Sequence, residues 1–532
     1  MKPVAFVLFI AIAALSHAQQ SYTNLYESHG ASFIWNMTEL DGGNVLIGLG
    51  PARGISRLDA FGNVIQTQSH WSDTLTGIGG IRHYAANEFV FAAGYRKDTC
   101  YVGQSLSLDR YPTIGKVDSL GTLLELRQYS LAAGCSNAAG DIVVTADGGI
   151  VAWGYRDDFF ALKVDSDLIP IWAKAFDYIG GIQFIKELPG GDLLAGINMA
   201  TAGAVVARIS ANGDILWCKS YIRPRGMIHD AVIESDDSYV ITGYTDSILN
   251  PDIFDPLPDN YHPKLFMMKL DGAGEVDWCR GYEGFPSKWY TAQWSQLTRT
   301  NDGQLAVLAT IGDENYNVEY QPFLMKTDLN GDTLWTRSFG RDEPFRYYSR
   351  GFLAHSDGGF LFNGQVFGDL PMGNLGMAYV FKTDSMGHLP CFDRPYPVVI
   401  SELFPTDSSF NLISVDGAVA GPAFLSDTTF AAFSMYDACD VITNVSLRSS
   451  SHHRPRVRPN PNTGQFTVEF ADPLIAESYY SVYDTMGKLL FQRRLPTGAT
   501  QEEVDLTGFS PGTYVLRFTD RDGVCYERVV LE

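Results

Sequence analysis

The stretch "KTDLNGDTLW", Lys326–Trp335, fits two different local structures. Asp328, Asn330 and Asp332 alternate as calcium ligands do in an acidic loop, so one interpretation is a metal site. The other is the tight turn of a β-hairpin, in which Asp328 accepts backbone N–H bonds and Gly331 takes the left-handed conformation. The rest of the chain separates these two interpretations.

The same register recurs along the chain. A basic residue is followed by Asp two positions later, by Gly five later and often by Trp nine later. Most copies have no oxygen ligands matching Asn330 and Asp332, so the repetition favours a structural turn over calcium, and we expect no metal. The seven copies are 59, 47, 45, 61, 57 and 56 residues apart and start at Arg57, Lys116, Lys163, Arg208, Lys269, Lys326 and Lys382.

A second hairpin signal precedes each copy, as in "DGGIVAWGY" from Asp147 and "DGGFLFNGQ" from Asp357. One unit therefore contains four strands, and a four-stranded unit repeated every 45 to 61 residues is typical of a propeller blade. We predict an all-β fold in which residues 19–391 form a seven-bladed β-propeller. The repeated tryptophans should lie on outer strands, between neighbouring blades; they are Trp172, Trp217, Trp278 and Trp335.

The ends of the repeat region predict how the ring closes. Pro390 interrupts the fourth strand of the last copy, because proline cannot donate a hydrogen bond to a β-ladder. The segment from Ser21 aligns with the region around Ile171, which puts Tyr22–Tyr26 where a fourth strand belongs. We therefore expect the N-terminal strand to complete blade seven and remove the open edges.

Composition and the N-terminal segment indicate which partners the protein avoids and in which compartment it is found. The 532 residues exceed one ordinary core, and the net charge of −22 opposes binding to nucleic-acid phosphates or an anionic membrane. Lys2, the apolar run Pro3–Leu15 and the small residues before Gln19 predict a secretory signal over residues 1–18. No later apolar stretch is long enough to span a membrane.

An exported protein can form disulfides, and the chain has seven cysteines, so at least one stays unpaired. Our preferred pairs are Cys391–Cys439 and Cys100–Cys135. No CxxC pair occurs, which argues against a zinc or redox site.

A binding site is expected on the face of the ring that carries the variable loops, since function concentrates in such loops. The long loops are Arg96–Tyr111, Thr245–Lys264 and Asp313–Gln321, which includes Tyr316 and Tyr320. Aromatic rings beside arginines can hold a sugar or a peptide, although the same rings could simply anchor the loops. The candidate ligand-binding residues are Arg223, Arg225, Tyr261, His262, Tyr282, Trp289, Tyr290, Trp294, Arg346 and Tyr347.

Catalytic motifs are sparse. The sequence has no GxSxG elbow, HExxH motif or P-loop, and its turns do not match the Asp-box of sialidases or the repeat of quinoprotein dehydrogenases. His229 and Asp230 could act as a base and its orienter, but the start of an inter-blade strand explains them as well. We expect no catalytic residue and no cofactor.

The chain changes character after Cys391. Residues 392–453 are assigned to a connector and linker, although "VVISELF" and "FAAFSMY" resemble strands. Residues 454–532 alternate in the manner of a small antiparallel sandwich. The segment contains a set of recognisable motif positions, namely Pro459, Asn460, Pro461, Gly464, Asp484, Gly487, Pro511, Gly512, Tyr514 and the terminal "ERVVLE". With these features it closely resembles the type A sorting domain of the type IX secretion system of Bacteroidetes.

The resemblance implies recognition by an outer-membrane translocon and removal by a surface sortase, after which the protein is released or attached to the surface. We therefore expect a secreted or surface-attached protein that passes through the periplasm. The preferred hypothesis is a non-catalytic binding or adhesion module for glycan or protein ligands. The alternative is a secreted carbohydrate-active hydrolase or lyase with its site on the loop face, and a third is a structural surface component.

Overall fold

A computed structural model gives the fold of the chain. It describes residues 21–27, 33–50, 54–71, 77–102, 105–131, 138–155, 159–176, 180–199, 203–223, 226–234, 237–245, 264–284, 295–312, 320–340, 346–367, 376–389, 392–422, 426–430, 434–437, 456–470, 473–474, 478–484, 489–520 and 523–531. The predicted signal segment lies outside these residues, as do Cys135, Cys391 and Cys439. Cys218 and Cys279 are buried free thiols.

The described residues form an all-β structure, as predicted, with seven five-stranded antiparallel sheets and two smaller sheets. The seven sheets, called blades 1 to 7 here, contact one another in chain order, and blade 7 contacts blade 1, so they form a closed ring. The innermost strands of blades 1 to 7 are Phe33–Glu39, Ile81–Ala85, Ala138–Val144, Gly180–Glu187, Gly226–Ile233, Gln296–Arg299 and Arg346–Ala354.

The next three strands of each blade follow outward from the axis. The second strands are Val45–Gly50, Glu88–Val102, Ile150–Tyr155, Leu193–Met199, Tyr239–Thr245, Leu305–Gly312 and Phe360–Phe367. The third strands are Gly54–Leu58, Ser105–Asp118, Phe159–Val164, Gly203–Ile209, Lys264–Leu270, Tyr320–Thr327 and Met377–Thr383. The fourth strands are Val64–Trp71, Leu123–Leu131, Pro170–Phe176, Ile215–Arg223, Val276–Gly284, Thr333–Phe339 and, in blade 7, Tyr22–Glu27. A short 3-10 helix, Asp41–Gly43, forms the first turn of blade 1.

The N-terminal strand closes the ring as predicted. Tyr22–Glu27 pairs antiparallel with Met377–Thr383, so that Tyr22 lies opposite Lys382 and Tyr26 opposite Ala378. The fourth strand of blade 7 thus comes from the opposite end of the propeller sequence.

The prediction of four strands per blade is wrong, and so is the assignment of residues 392–437 to a connector, while residues 438–453 lie outside the described residues. Residues 392–437, called the belt here, supply a fifth strand to every blade in the order 6, 5, 4, 3, 2, 1, 7. These strands cover the outer edges that four-stranded blades would leave unpaired. The belt strands are Asp393–Pro395, Val398–Glu402, Thr406–Ser409, Val415–Asp416, Ala418–Pro422, Ser426–Phe430 and Ser434–Asp437.

The turn between third and fourth strands has the predicted D-x-x-G geometry. In blade 6, Asp328 Oδ1 accepts the N–H groups of Asn330 and Asp332 at 2.9 Å each, and Gly331 has φ 79°. Asp332 forms an ion pair with Arg280 of blade 5. Asp328 and Asp332 are thus engaged in the turn and in a contact between blades. The structure confirms the turn interpretation of the opening stretch.

The repeated tryptophans pack between neighbouring blades, as predicted. A Cβ on Gly213 would lie 2.9 Å from the Trp172 ring, and one on Gly274 would lie 2.8 Å from Trp217. Each ring covers the turn of the following blade so closely that only glycine fits there.

Residues 456–531 form a sandwich of two sheets around one core that includes Val482, Leu516 and Val529. The three-stranded sheet contains Arg456–Arg458, Gln465–Glu469 and Gln501–Asp505. The four-stranded sheet contains, in spatial order, Leu489–Leu495, Ser478–Asp484, Gly512–Asp520 and Gly523–Leu531. The small antiparallel sandwich is as predicted.

Candidate functional site

The sequence-predicted ligand-binding residues fall into three groups. Six lie outside the described residues, namely Arg225, Tyr261, His262, Trp289, Tyr290 and Trp294. Arg223 ends the fourth strand of blade 4, where its backbone pairs with Thr406 of the belt. Tyr282, Arg346 and Tyr347 are placed by the structure with their side chains.

Tyr282 is an interior residue and not a surface ligand contact. Its side chain is 2% exposed, and its hydroxyl donates to the Gly331 carbonyl at 2.7 Å. Burial raises the pKa of this phenol above its usual range. We do not retain Tyr282 as a binding residue, because its ring and its hydroxyl are both used in the contact between blades 5 and 6.

Tyr347 is also buried, at 3% exposure. Its ring packs edge-on against Tyr379 and Phe392, with centroid separations of 5.8 and 5.5 Å. Side chains alternate along a strand, so the neighbouring Tyr348 takes a different direction and is half-buried. We therefore replace Tyr347 with Tyr348 as the candidate.

Tyr348 belongs to an aromatic group at the loop end of blades 6 and 7. Its ring stacks on Tyr320 with a centroid separation of 4.9 Å and meets Phe367 edge-on at 5.6 Å. Burial raises the pKa of Tyr348, with Tyr320 adding to the rise, while a hydrogen bond from Arg346 opposes it. Phe367 is 37% exposed, so the group reaches the surface.

The same end of the ring brings Trp35 and Arg350 together. The Arg350 guanidinium lies 5.1 Å from the centre of the Trp35 ring, across the joint between blades 7 and 1. Both residues lie on innermost strands, Trp35 near the loop end of Phe33–Glu39 and Arg350 at the middle of Arg346–Ala354. We call Trp35, Tyr320, Arg346, Tyr348, Arg350 and Phe367 the loop-face group.

A polar network lines the axis next to this group. The Arg82 guanidinium of blade 2 donates to Asn36 of blade 1 and to Asp141 of blade 3, at 3.0 Å each. In the same way, Lys186 of blade 4 pairs with Asp230 of blade 5 at 2.8 Å. These side chains lie close to the axis because their strands are the innermost of each blade, and Asn36, Asp141 and Asp230 each directly follow a bulge. Apart from Asp230, sequence reasoning missed them, since single polar residues on a strand give no repeat signal.

His229 and Asp230 do not have the geometry of a base and its orienter. His229 Nδ1 accepts the Ser295 N–H at 2.9 Å, and burial lowers the pKa of this imidazole to about 4. The Asp230 carboxylate accepts the N–H groups of Ala231 and Leu297 as well as the Lys186 ammonium. These bonds join the innermost strand of blade 5 to the strand start of blade 6 and to Lys186 of blade 4, so the pair has a structural role between blades.

A cavity of about 580 Å3 opens on the opposite face, where the hairpin turns meet the axis. Its charged lining residues are Glu187, Glu234 and Arg299. Glu187 accepts the Ala146 N–H of the preceding blade. Arg299 of blade 6 likewise contacts the preceding blade, through an ion pair with Glu234. These side chains join neighbouring blades, so the cavity is explained by the way the ring is assembled.

In the C-terminal sandwich, the motif residues fasten the last strand. Asn460 Oδ1 accepts the Val530 N–H at 2.8 Å, and the Asn462 side chain donates to the Val530 carbonyl at 3.0 Å. Gly464 has φ 109° and lies against Thr507, where a Cβ would come within 2.8 Å of its Cα. The side chain of Asp484 and residue Gly487 lie outside the described part of the domain.

The described residues contain neither a group of potential metal ligands nor a membrane-spanning helix. Within these residues no three His, Cys, Asp or Glu side chains are grouped so that they could hold a metal ion. The same part of the chain contains no helix long and apolar enough to cross a membrane.

Comparison with known proteins identifies the C-terminal domain. Residues 456–532 match the family model of the secretion system C-terminal sorting domain. A search of curated proteins found no match.

Solved structures resemble the chain at low identity. A streptogramin B lyase is 13% identical, with 68% of this chain and 97% of that chain covered and a TM-score of 0.42. An α-L-arabinanase from Penicillium chrysogenum, complexed with arabinobiose, is 13% identical, with coverage of 69% and 99% and a TM-score of 0.36. A protein of unknown function from Bacteroides caccae is 13% identical, with coverage of 60% and 93% and a TM-score of 0.35. At these TM-scores the likenesses say nothing about activity.

The chain thus has two recognised parts, the closed ring of seven sheets and the matched C-terminal domain. The sorting domain indicates export to the cell surface or the medium. The chain is a β-propeller protein that carries a C-terminal sorting domain of the Bacteroidetes type IX secretion system.

Proposed function

We propose that the protein is a non-catalytic binding or adhesion module, exported by type IX secretion, that holds a glycan or protein ligand at its loop face. The loop-face group carries this proposal. It combines partly accessible aromatic rings with two guanidinium groups, on innermost strands and strand ends that belong to three consecutive blades.

Each part of the loop-face group has a chemical role in such binding. The faces of Tyr348 and Phe367 offer apolar planes on which a sugar ring or an aromatic side chain can stack. Arg346 and Arg350 supply planar donors for hydroxyl, carbonyl or carboxylate oxygens. Because the arginines contact Tyr348 and Trp35, they lose little freedom when a ligand binds.

The outer-membrane translocon and a surface sortase are the proposed partners of the sorting domain. The folded sandwich supports this, because Asn460 and Asn462 fix the terminal strand to the rest of the domain.

Glycan and peptide arrays probed with the full-length protein, together with turnover assays on the same polysaccharides, test the function. We expect binding without turnover. Tyr348→Ala should weaken binding about tenfold or more, since loss of an aromatic anchor costs at least about 1.4 kcal/mol.

Phe61→Ala is the matched control. Phe61 is a 53% exposed aromatic residue in the turn between third and fourth strands of blade 1, on the opposite face of the ring. Its loss should leave binding unchanged. Equal weakening by the two substitutions, or turnover that depends on a loop-face carboxylate, would refute the proposal.

A further inference from the structure

The belt residues that pair with successive blades are about seven positions apart in the sequence. In each blade one belt residue lies directly opposite the same fourth-strand position, and successive belt partners are 7, 7, 7, 6, 7 and 8 residues apart. Seven extended residues reach at most about 23–25 Å, which is enough to pass from one blade edge to the next. The opposed pairs are Pro395 with Arg337, Glu402 with Arg280, Ser409 with Lys219, Asp416 with Lys174, Pro422 with Arg127, Thr429 with Gln68, and Asp437 with Asn24.

The belt backbone docks in the same way on four consecutive blades. The donor is the N–H of the residue after the opposed position, and the acceptor is the carbonyl between the Trp and the cation of the fourth strand. Such backbone hydrogen bonds can form with any extended segment, whatever its side chains are. They join Tyr396 to Thr336 at 3.3 Å, Leu403 to Cys279 at 2.9 Å, Phe410 to Cys218 at 2.9 Å and Gly417 to Ala173 at 3.3 Å.

Side chains then fix the register. Phe392, Leu403 and Leu412 are 2%, 3% and 6% exposed, and each enters a core cluster formed by two adjacent blades. Their outward neighbours Phe404 and Ile413 are 79% and 62% exposed. The belt therefore has one anchoring face and one solvent face.

Charge complementarity adds to this. Asp393 pairs with Arg337 at 2.8 Å, and Asp416 pairs with Lys174 at the same distance. Asp407 lies 3.1 Å from Lys219. An acidic, apolar, extended segment thus matches a rim that presents basic side chains and clefts between blades.

The ring does not need the belt in order to close. Each blade has four strands without it, including blade 7, where the N-terminal strand supplies the fourth. Hydroxyl groups of the fourth strands already join neighbouring blades, as Tyr26 does with Gly62 and Tyr221 with Gly274, at 2.7 Å each. The belt adds a fifth strand to each outer edge, and its side chains Phe392, Leu403 and Leu412 reach into the clusters between blades.

We propose that the outer rim of the propeller is a strand-acceptor surface, which binds an extended acidic peptide of seven-residue period by strand addition to an already closed ring. The belt of this chain is its occupant. It docks as a separable unit, so that the rim accepts the same segment as a free peptide once the tethered copy is displaced.

The test uses the full-length protein and a labelled peptide of residues 392–437. In the double variant L403D/L412D, two carboxylates replace the inward anchors, and the tethered belt should leave the rim. Amide exchange in the belt and in the fourth strands should then rise by more than about tenfold, while exchange in the three inner strands stays unchanged. The peptide should bind this variant and not the wild-type protein, whose rim is occupied.

The control variant F404D/I413D adds the same charge on the solvent face. It should keep wild-type exchange and should not bind the peptide. A peptide that carries the L403D/L412D changes should bind neither protein. Faster exchange in all four strands of every blade would show that the ring depends on the belt, and failure of the released variant to bind the peptide would show that the rim is no acceptor; either result overturns the proposal.

Discussion

At the scale of single residues, a tyrosine hydroxyl at the same fourth-strand position links neighbouring blades at several joints. A tyrosine on the fourth strand donates to the turn carbonyl of the next blade, and the turn residue has positive φ at all four such joints. In blades 3 and 6, Phe176 and Phe339 occupy the same position, so the joint tolerates the loss of the hydroxyl. The four bonds join Tyr26 to Gly62, Tyr129 to Leu168, Tyr221 to Gly274 and Tyr282 to Gly331.

Tyr282→Phe tests this role directly. The substitution keeps the buried ring and leaves the Gly331 carbonyl without its donor, so the free energy of unfolding should fall by about 1 kcal/mol. Chemical denaturation measures that change. Ligand binding should be unaffected, because the ring lies inside the joint between blades 5 and 6. A loss of binding with unchanged stability would return Tyr282 to the ligand site.

The sequence predicts turns at this scale better than it predicts exposed side chains. The D-x-x-G register is specific because Asp328 and Gly331 each have one structural task, which repetition makes visible. Tyr347 and Tyr348 are both plausible surface aromatics, and only the strand register decides which one faces inward. A bulge between Ser349 and Gly351 interrupts that register, so alternation counted from the repeat is unreliable there.

At the scale of strands and turns, a buried lysine joins the two hairpins of a blade. Lys163, on the third strand of blade 3, is 3% exposed and binds Asp147 in the first turn at 2.6 Å. Lys326 binds Asp302 in the same way in blade 6, at 2.7 Å. This contact gives the basic residue that begins the repeat a structural task in blades 3 and 6.

The pair predicts a specific acid sensitivity. The hydrogen bond from Lys163 is the largest influence that lowers the pKa of Asp147, which falls to about 2. An unfolded aspartate titrates near 3.9, so the stabilisation is complete above about pH 4 and is lost as the pH falls toward 2. Asp147→Asn should flatten the dependence of unfolding free energy on pH in that window, measured by denaturation at several pH values.

At neutral pH the same substitution should cost about 1–2 kcal/mol, because the carboxylate is partly screened by water. Lys163→Met is the matched partner, and the double variant should lose less than the sum of the two single losses. Additive losses would mean that the two side chains act independently.

The belt shows where sequence reasoning stops at this scale. Its strands are two to five residues long and lack a hairpin turn of their own, since each pairs with a fourth strand far away in the sequence. Only "VVISELF" and "FAAFSMY" resemble strands in the sequence, and strands this short do not indicate what they pair with. The apolar residues Tyr396, Leu403 and Phe410 do recur every seven positions, but that period becomes meaningful only when the ring size is known.

At the scale of the whole molecule, three distant parts of the chain meet in blade 7. Residues 346–383 supply its first three strands, the N-terminal strand Tyr22–Glu27 supplies the fourth, and the belt strand Ser434–Asp437 pairs with that N-terminal strand. The propeller is therefore complete only when the chain has been made as far as Asp437. The sorting domain starts shortly afterwards, at Arg456.

This arrangement separates the folding of the propeller from its export. Deleting residues 454–532 leaves every strand of the seven blades in place, so the truncated protein should fold and accumulate in the periplasm.

Val482→Asp should have the same effect in the full-length chain, because Val482 is fully buried in the sandwich and an unpaired carboxylate there prevents the domain from folding. Immunoblots of medium, surface and periplasmic fractions measure both outcomes. Tyr479→Asp, an exposed change on the same strand, should leave export intact. Truncated protein found outside the cell would mean that the propeller carries an export signal of its own.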